Sequence, residues 1–288
     1  MSGIKPSVNE GRAACNVCPH GCLLAKGQVG LCRARGWRNG VVAPLSYGRL
    51  TSVALDPVEK KPLARWMSGH YLLSVGSYGC NLRCPFCQNH EIAQAGEEDV
   101  PWRYVAPDEL VGIALDMRER NPRVAGIAHT YNEPLVSWEY VRDVGVLAHE
   151  VGLANTLVSN GCAEPWVIDE LAPLVDAANV DLKGFSDQYY HWCGGKLSAV
   201  QECIRRLAAE PGCHLEVTCL VVPGRNDSPD EMRALAAWLA SVDPDITLHV
   251  TRYFPRWKLQ TPATPVRTVY ELADVAREQL PHVVVGNC

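Results

Sequence analysis

The sequence predicts an α/β chain whose six strand and helix repeats curl into a partial (β/α)6, TIM-like barrel behind a small cysteine-rich segment. Three observations carry this reading. From Leu72 onward, apolar runs of strand length alternate with longer stretches of helical period. Cys80, Glu133, Ser159 and Asp181 fall at or just past the ends of successive apolar runs, the face on which parallel β/α folds build their sites. Four cysteines crowd into residues 15–32, interleaved with Gly and Pro. Residues 1–71 are therefore assigned to the cysteine-rich segment and lead-in, and 72–288 to the barrel.

Residues 1–14 show no periodicity and read as a flexible lead-in. Residues 37–71 read as short strands and turns, with Asp56-Pro57-Val58-Glu59-Lys60-Lys61-Pro62 as a solvated charged loop whose lysines could meet an anionic group. Strands are predicted at 72–76, 124–129, 153–158, 177–182, 214–222 and 246–253, and helices at 107–120, 137–151, 165–174, 197–209, 229–241 and 265–280. Ser228-Pro229-Asp230-Glu231 combines a capping box with Pro in the first turn. The stripe Met232, Leu235, Ala236 and Leu239 then follows the helical period. Pro265 opens the last helix, with Val266, Val269, Tyr270 and Ala273 as its inner face. Parallel strands joined by right-handed crossovers fit a doubly wound sheet or a partial barrel, and the motif placement favours the barrel.

Composition narrows the function. The chain has 288 residues, 47% of them apolar, and a net charge of −5. Its basic residues are scattered, which argues against a nucleic-acid platform. Its apolar runs are too short to cross a bilayer and it shows no N-terminal signal, so a soluble cytoplasmic protein without a membrane partner is expected. Of the 13 cysteines, seven lie in two tight clusters, which is metal spacing rather than disulfide spacing. Cys203, Cys213 and Cys219 read as small buried hydrophobes.

Cys15, Cys18, Cys22 and Cys32 enclose too little apolar surface to fold alone, so a metal is expected to stabilise them. Four thiolates suit tetrahedral zinc, the favoured reading because closed four-cysteine sites are commonly structural, with His20 as a substitute ligand, and they also suit an auxiliary cluster. Four free thiols in a tail are the bland alternative. The triplet Cys80, Cys84 and Cys87, spaced C-x3-C-x2-C in a turn carrying Asn81, Arg83 and Pro85, also points to a metal. Three cysteines holding an iron–sulfur cube leave the fourth iron open to a small molecule. The competing reading is a closed zinc knuckle that recruits a distant Cys or His.

The triplet is the signature of the radical S-adenosylmethionine (SAM) superfamily. DPVEKKPL (56–63), SYGCNLRCPFCQNHEI (77–92), HTYNEP (129–134), SNG (159–161), DLKG (181–184), HVTRYFP (249–255) and VGN (285–287) together resemble the radical SAM component of the AmmeMemoRadiSam group. That group is similar to the activating enzymes of glycyl-radical enzymes such as pyruvate formate-lyase. The resemblance covers nearly the whole chain, in order, and implies the six-unit partial barrel. It implies a 4Fe-4S cluster that reductively cleaves SAM to methionine and a 5'-deoxyadenosyl radical, which removes hydrogen from a substrate. Reduced flavodoxin or ferredoxin would supply the electron, and the substrate would be a protein glycine, or else a small molecule or cofactor precursor. A non-catalytic electron-transfer protein is the alternative from another class.

The same resemblance assigns roles residue by residue. Phe86 matches a position near adenine, with loop packing as the plain reading. Asn132 and Glu133 stand in the motif that binds the SAM amino group, where Tyr131-Asn132 replaces the usual glycines; a strand-end turn is the plain reading. Ser159 and Asn160 would meet ribose or carboxylate, or form a bare turn. Asp181 and Lys183 would lie near SAM, or cap a strand. His249 and Arg252 would reach the SAM carboxylate or the substrate, or simply pack. Members of the resembled family are expected to continue past the position of Cys288.

Overall fold

The computed structural model describes residues 11–288. Six strands stand where the apolar runs place them: β1 (Tyr71–Gly76), β2 (Val124–His129), β3 (Ala154–Ser159), β4 (Ala177–Asp181), β5 (His214–Val221) and β6 (Thr247–Arg252). A seventh parallel strand, β7 (Val283–Gly286), follows the last helix, and Ser52–Pro57 pairs antiparallel with β1. Neither belongs to the sequence-based count. The barrel sheet thus takes in part of the segment assigned above to the lead-in. Of the expected flexible lead-in, residues 1–10 lie outside the described residues and Arg12–Ala14 forms a strand.

Among the described residues the sheet runs Ser52–Pro57, β1, β2, β3, β4, β5, β6, β7, without a reversal. Each new strand is therefore laid on the same side of its predecessor. Right-handed crossovers then send every intervening helix to one face and curl the sheet, whereas a doubly wound sheet changes direction at a switch point. The two end strands do not pair with one another, so the barrel stays open along a seam.

The helices are α1 (Pro107–Arg120), α2 (Trp138–Glu150), α3 (Pro165–Leu171), α4 (Leu197–Ala208), α5 (Pro229–Val242) and α6 (Val266–Arg277). Pro107, Pro165 and Pro229 open their helices, where a missing N–H costs nothing. The stripe Met232, Leu235, Ala236 and Leu239 of α5 is buried as expected. Its capping box does not form, because the Glu231 carboxylate instead accepts from the Phe185 N–H at 2.7 Å. In α6 the buried face is Val269, Leu272, Ala273 and Ala276, while Val266 and Tyr270 face solvent. A helix absent from the prediction, Asp187–Cys193, starts on the Ser186 hydroxyl and ends at Gly194 in the left-handed conformation.

Side chains alternate across the sheet. Outward residues such as Leu73, Val75 and Ile127 pack against Leu110, Tyr140 and Val144 of α1 and α2. Val180, Val217, Leu248 and Val250 likewise pack with α3 to α6. Inward positions carry small or polar residues, including Ser74, Thr156, Asn179, Thr218 and Thr251. A closed eightfold barrel fills its interior with branched apolar side chains, whereas this interior keeps a cavity.

Residues 58–66 cross the barrel floor. Val58 and Leu63 are buried with Leu72 and Ala177 at strand beginnings. The Glu216 carboxylate on β5 accepts from the Ala64 and Arg65 N–H groups at 3.0 and 2.8 Å, and Asn179 on β4 donates to the Pro62 carbonyl at 2.8 Å. The charged loop is consequently not solvated as expected. Asp56 and Lys61 are both buried and paired at 2.7 Å, whereas Glu59 and Lys60 reach water.

The cysteine-rich segment forms two hairpins, Arg12–Ala14 with Leu23–Ala25 and Arg35–Arg38 with Val41–Pro44. It is welded to the barrel rather than tethered to it. The buried Arg35 guanidinium meets Glu139 of α2 at 2.8 and 2.9 Å and the Val136 carbonyl at 3.1 Å. The Glu164 N–H donates to the Val17 carbonyl, and the Trp166 indole N–H donates to the Asn16 carbonyl.

Candidate active site

The chain leaves β1 at Gly76 and must turn sharply to bring Cys80 over the barrel mouth. Asn132 makes this turn possible: its side chain accepts from the Ser77 N–H at 2.9 Å and donates to the Tyr78 and Gly79 carbonyls at 3.2 and 3.1 Å. Gly79 sits at φ +89°, and a Cβ there would come within 2.6 Å of both the Cys32 carbonyl and the Ala34 side chain. Only glycine fits that position.

The triplet loop folds inward, which corrects the expected exposed turn. Asn81 is buried, donating to the Cys162 carbonyl at 2.6 Å and accepting from Asn160 at 3.0 Å. Leu82 is buried against Gly195. Cys80, Cys84 and Cys87 all line one cavity of about 710 Å3. Burial and the nearby Glu133 charge push the Cys80 thiol up, and a hydrogen bond with Cys193 together with burial does the same to Cys84. Such thiols become thiolates only when a metal supplies the opposing charge. Two donors already face Cys80 Sγ, the Leu82 N–H at 3.3 Å and the Asn160 amide at 3.5 Å.

Glu133 follows β2 and is 2% exposed. Its carboxylate accepts from the Ser159 hydroxyl at 2.7 Å and from the Asn160 and Leu135 N–H groups at 2.8 and 3.0 Å. Burial outweighs these donors and pushes its pKa up to about 7. It is a desolvated acid facing the cavity beside the cysteine loop, a place where an ammonium would be welcomed. Ser159 and Asn160, at the end of β3, join Glu133 to Asn81 and Cys80.

At the end of β4, Lys183 pairs with Asp181 at 2.8 Å. Burial lowers the affinity of this amine for its proton, but Asp181 and the neighbouring Cys84 outweigh that and keep it charged. Phe86 is buried against Tyr189 and Trp192, with ring centroids at 6.4 and 5.5 Å, and also lines the cavity. His249 lines the cavity while its Nε2 is engaged by Glu216. Arg252 is not among the lining residues. Its guanidinium donates to the Thr264 carbonyl at 2.7 Å and stacks over Phe254, because the β6 alternation turns it away.

Tyr131 was not anticipated as a site residue. It adopts φ +71°, donates its hydroxyl to Asp56 at 2.6 Å, and lies under the Lys61 ammonium at 4.7 Å. The sequence signals were the non-glycine residue in the Glu133 motif and the quoted DPVEKKPL segment. The cavity descends past Tyr131 to Lys60 and Ala64 and reaches Val284 to Asn287 at the seam.

Comparison with known proteins fits this geometry. A model of the radical SAM superfamily matches residues 74–238. The chain belongs to the radical SAM superfamily. It is 35% identical over 283 residues to an uncharacterized protein of Methanocaldococcus jannaschii, covering 97% of this chain and 83% of that protein. Among solved structures, Streptococcus suis SuiB bound to S-adenosylmethionine aligns with a TM-score of 0.56 at 12% identity, over 73% of this chain and 48% of that one. A radical SAM methyltransferase from Sphaerobacter thermophilus aligns with a TM-score of 0.53 at 18% identity, over 75% and 68%. These two likenesses show the fold.

A radical SAM enzyme uses a 4Fe-4S cluster and SAM, and the residues present fit both. Cys80, Cys84 and Cys87 offer three thiols on one wall of the cavity, and a cube so held keeps one iron free. When bound, the pair supplies a carbon-centred radical that removes a hydrogen atom. The chain's own work is to hold, orient and screen. Glu133 would receive the SAM ammonium, Lys183 would set a positive charge beside Cys84, and Phe86 with its aromatic neighbours would screen the loop from water. Among the described residues, no helix is long and apolar enough to cross a membrane.

Proposed function

We propose that this radical SAM enzyme removes a hydrogen atom from a polypeptide, with a backbone glycine as target, in the manner of the activating enzymes its motifs resemble. The observation that carries this reading is the seam. The cavity beneath the cysteine loop is not sealed by the sheet and extends to Val284–Asn287 at one of its edges. A chain segment can enter such an opening sideways, whereas a fully enclosed pocket would admit only a free small molecule. Reduced flavodoxin or ferredoxin would serve as the electron source. A small-molecule substrate is favoured by one feature, the polar inner wall of Thr218, His249 and Thr251.

Isotope transfer separates the two readings. Extract from cells that express this chain, grown on deuterated glycine, is split by size and incubated anaerobically with enzyme, SAM and dithionite. Deuterium in the released 5'-deoxyadenosine, arising from the macromolecular fraction and lost after protease treatment, supports the polypeptide. Transfer from the small-molecule fraction alone refutes it.

A further inference from the structure

We propose that Cys15, Cys18, Cys22 and Cys32 hold a second iron–sulfur cluster, and that this cluster passes single electrons to the barrel cluster through the contact between Cys32 and Cys80. The relay half rests on the radical SAM reading, while the metal-site half does not.

The four cysteines form one structural unit. The Cys15 N–H bonds the Cys22 carbonyl at 2.8 Å and closes the first hairpin around Cys18. A Cβ on Gly30 would touch both the Cys22 and Cys32 sulfurs, at 3.7 and 3.8 Å, so glycine leaves open the space these thiols border. Arg35 is 5% exposed, and its Nε is buried without a partner. The same guanidinium lies close enough to Cys15 and Cys32 to feel their charge. Glu139 already neutralises this cation through its two terminal nitrogens, so what remains open is one buried N–H donor on the side of the thiols, suited to an anionic acceptor. Four thiolates around a metal centre are such a group.

The arrangement favours a cluster over zinc. A single zinc draws its thiolates to one point at about 2.3 Å and has no redox chemistry, so it would make no use of the direct contact between the Cys32 and Cys80 loops. A cube takes one thiolate per iron and tolerates wider spacing. With four cysteines every iron is closed, so the centre carries electrons instead of binding SAM.

Position then assigns the direction of flow. Cys15 and Cys32 are buried, while Cys18 and Cys22 are partly open to solvent, where a reductant can reach them. The Cys80 N–H donates to the Cys32 carbonyl at 3.1 Å, so one hydrogen bond joins a ligand of each centre. His20 meets the Asn81 carbonyl at 2.8 Å and Arg83 donates to the Leu31 carbonyl, locking the two loops together. In each step a one-electron reductant of the ferredoxin or flavodoxin class is oxidised by one electron. The outer centre is reduced and then reoxidised, and the barrel cluster ends one electron richer.

The test uses the full chain reconstituted anaerobically. In the Cys80→Ala, Cys84→Ala, Cys87→Ala triple variant, roughly four irons per chain with matching sulfide should remain, giving a reduced paramagnetic signal that SAM does not alter. Zinc without iron in that variant, or no metal at all, would overturn the second cluster. Wild-type protein provides a reading that needs no variant: two distinct signals, of which SAM shifts only one, are expected, and a single signal counts against the proposal. For the relay, Cys18→Ser with Cys22→Ser should slow reduction of the barrel cluster by reduced flavodoxin at least tenfold, with its SAM-dependent spectral shift retained. An unchanged rate refutes the relay. If SAM shifts no signal in the wild type, the radical SAM assignment fails, while the iron content of the triple variant still decides the second site.

Discussion

Replacing Glu133 with Gln tests the SAM site most directly, and the structure makes the expected outcome quantitative. In the free protein one carboxylate oxygen accepts from Ser159 and Leu135 and the other from Asn160. A glutamine that keeps the first pair turns its NH2 toward the Asn160 N–H, so two donors face each other. Stability should fall by about 1–3 kcal/mol, the usual cost of an unsatisfied buried polar group. Loss of the charged partner for the SAM ammonium should weaken binding by a further ~1.5–3 kcal/mol, or roughly ten- to a hundredfold. The pH dependence separates these effects. Because the folded pKa is raised to about 7, the acid is protonated below that pH and must lose its proton before pairing with an ammonium. Wild-type affinity should therefore fall about tenfold per pH unit below 7 and level off above it, whereas Glu133→Gln should show no such slope. The sign for folding follows from the same shift. A carboxyl raised from 4.5 favours the folded state at low pH, and that contribution is lost as pH rises through about 7. Titrating SAM against the reduced cluster at pH 6 and pH 8, read by paramagnetic resonance, measures the affinities. A flat wild-type profile, or wild-type affinity in the variant, would refute the ammonium assignment.

Other perturbations reach different parts of the site. Cys84→Ala should abolish both the barrel cluster and SAM cleavage, measured as iron content and 5'-deoxyadenosine released, since two thiols are left for the cube. Gly79→Ala should destabilise the fold by about 1–3 kcal/mol, from strain at positive φ and collision with Cys32 and Ala34, and should lower cluster occupancy; denaturant unfolding and iron analysis would show it. Glu216→Gln should cost about 3 kcal/mol or more, because the buried acid holds two floor N–H groups and two histidines. Its folded pKa is lowered to about 2. Its stabilisation is thus complete above 4.5 and lost as pH falls toward 2, so the variant should show a shallower acid decline in Tm between those values.

How far the sequence reached depended on whether a residue announced its environment by period or only by depth. Helix α5 was legible because Pro229 and the stripe from Met232 to Leu239 repeat every three to four residues. Its capping box failed because Phe185, distant in sequence, competes for Glu231. Strand β7 is four residues of which three are valine, too short to show alternation against the helix before it. Asp56 and Lys61 read as solvated because charge in a loop usually is, and nothing local reveals that this loop crosses the barrel floor. The cysteine triplet and Glu133 could be found because their spacing is chemical. Their supporting contacts, such as Asn132 to Ser77 and Asn160 to Cys80, are made between separate strand ends and have no signature in the chain.

The polar interior separates two demands that most barrels must satisfy with the same residues. The apolar contacts lie between the sheet and its outer helices, in the layers around Tyr140 and Val217. Thr218, Thr251 and Val284, facing the cavity, contribute little to that layer. Substitutions there can alter which molecule is accepted while leaving most of the folding free energy untouched. A scaffold arranged in this way can acquire new substrates by inner-wall changes alone, without first accumulating stabilising mutations elsewhere.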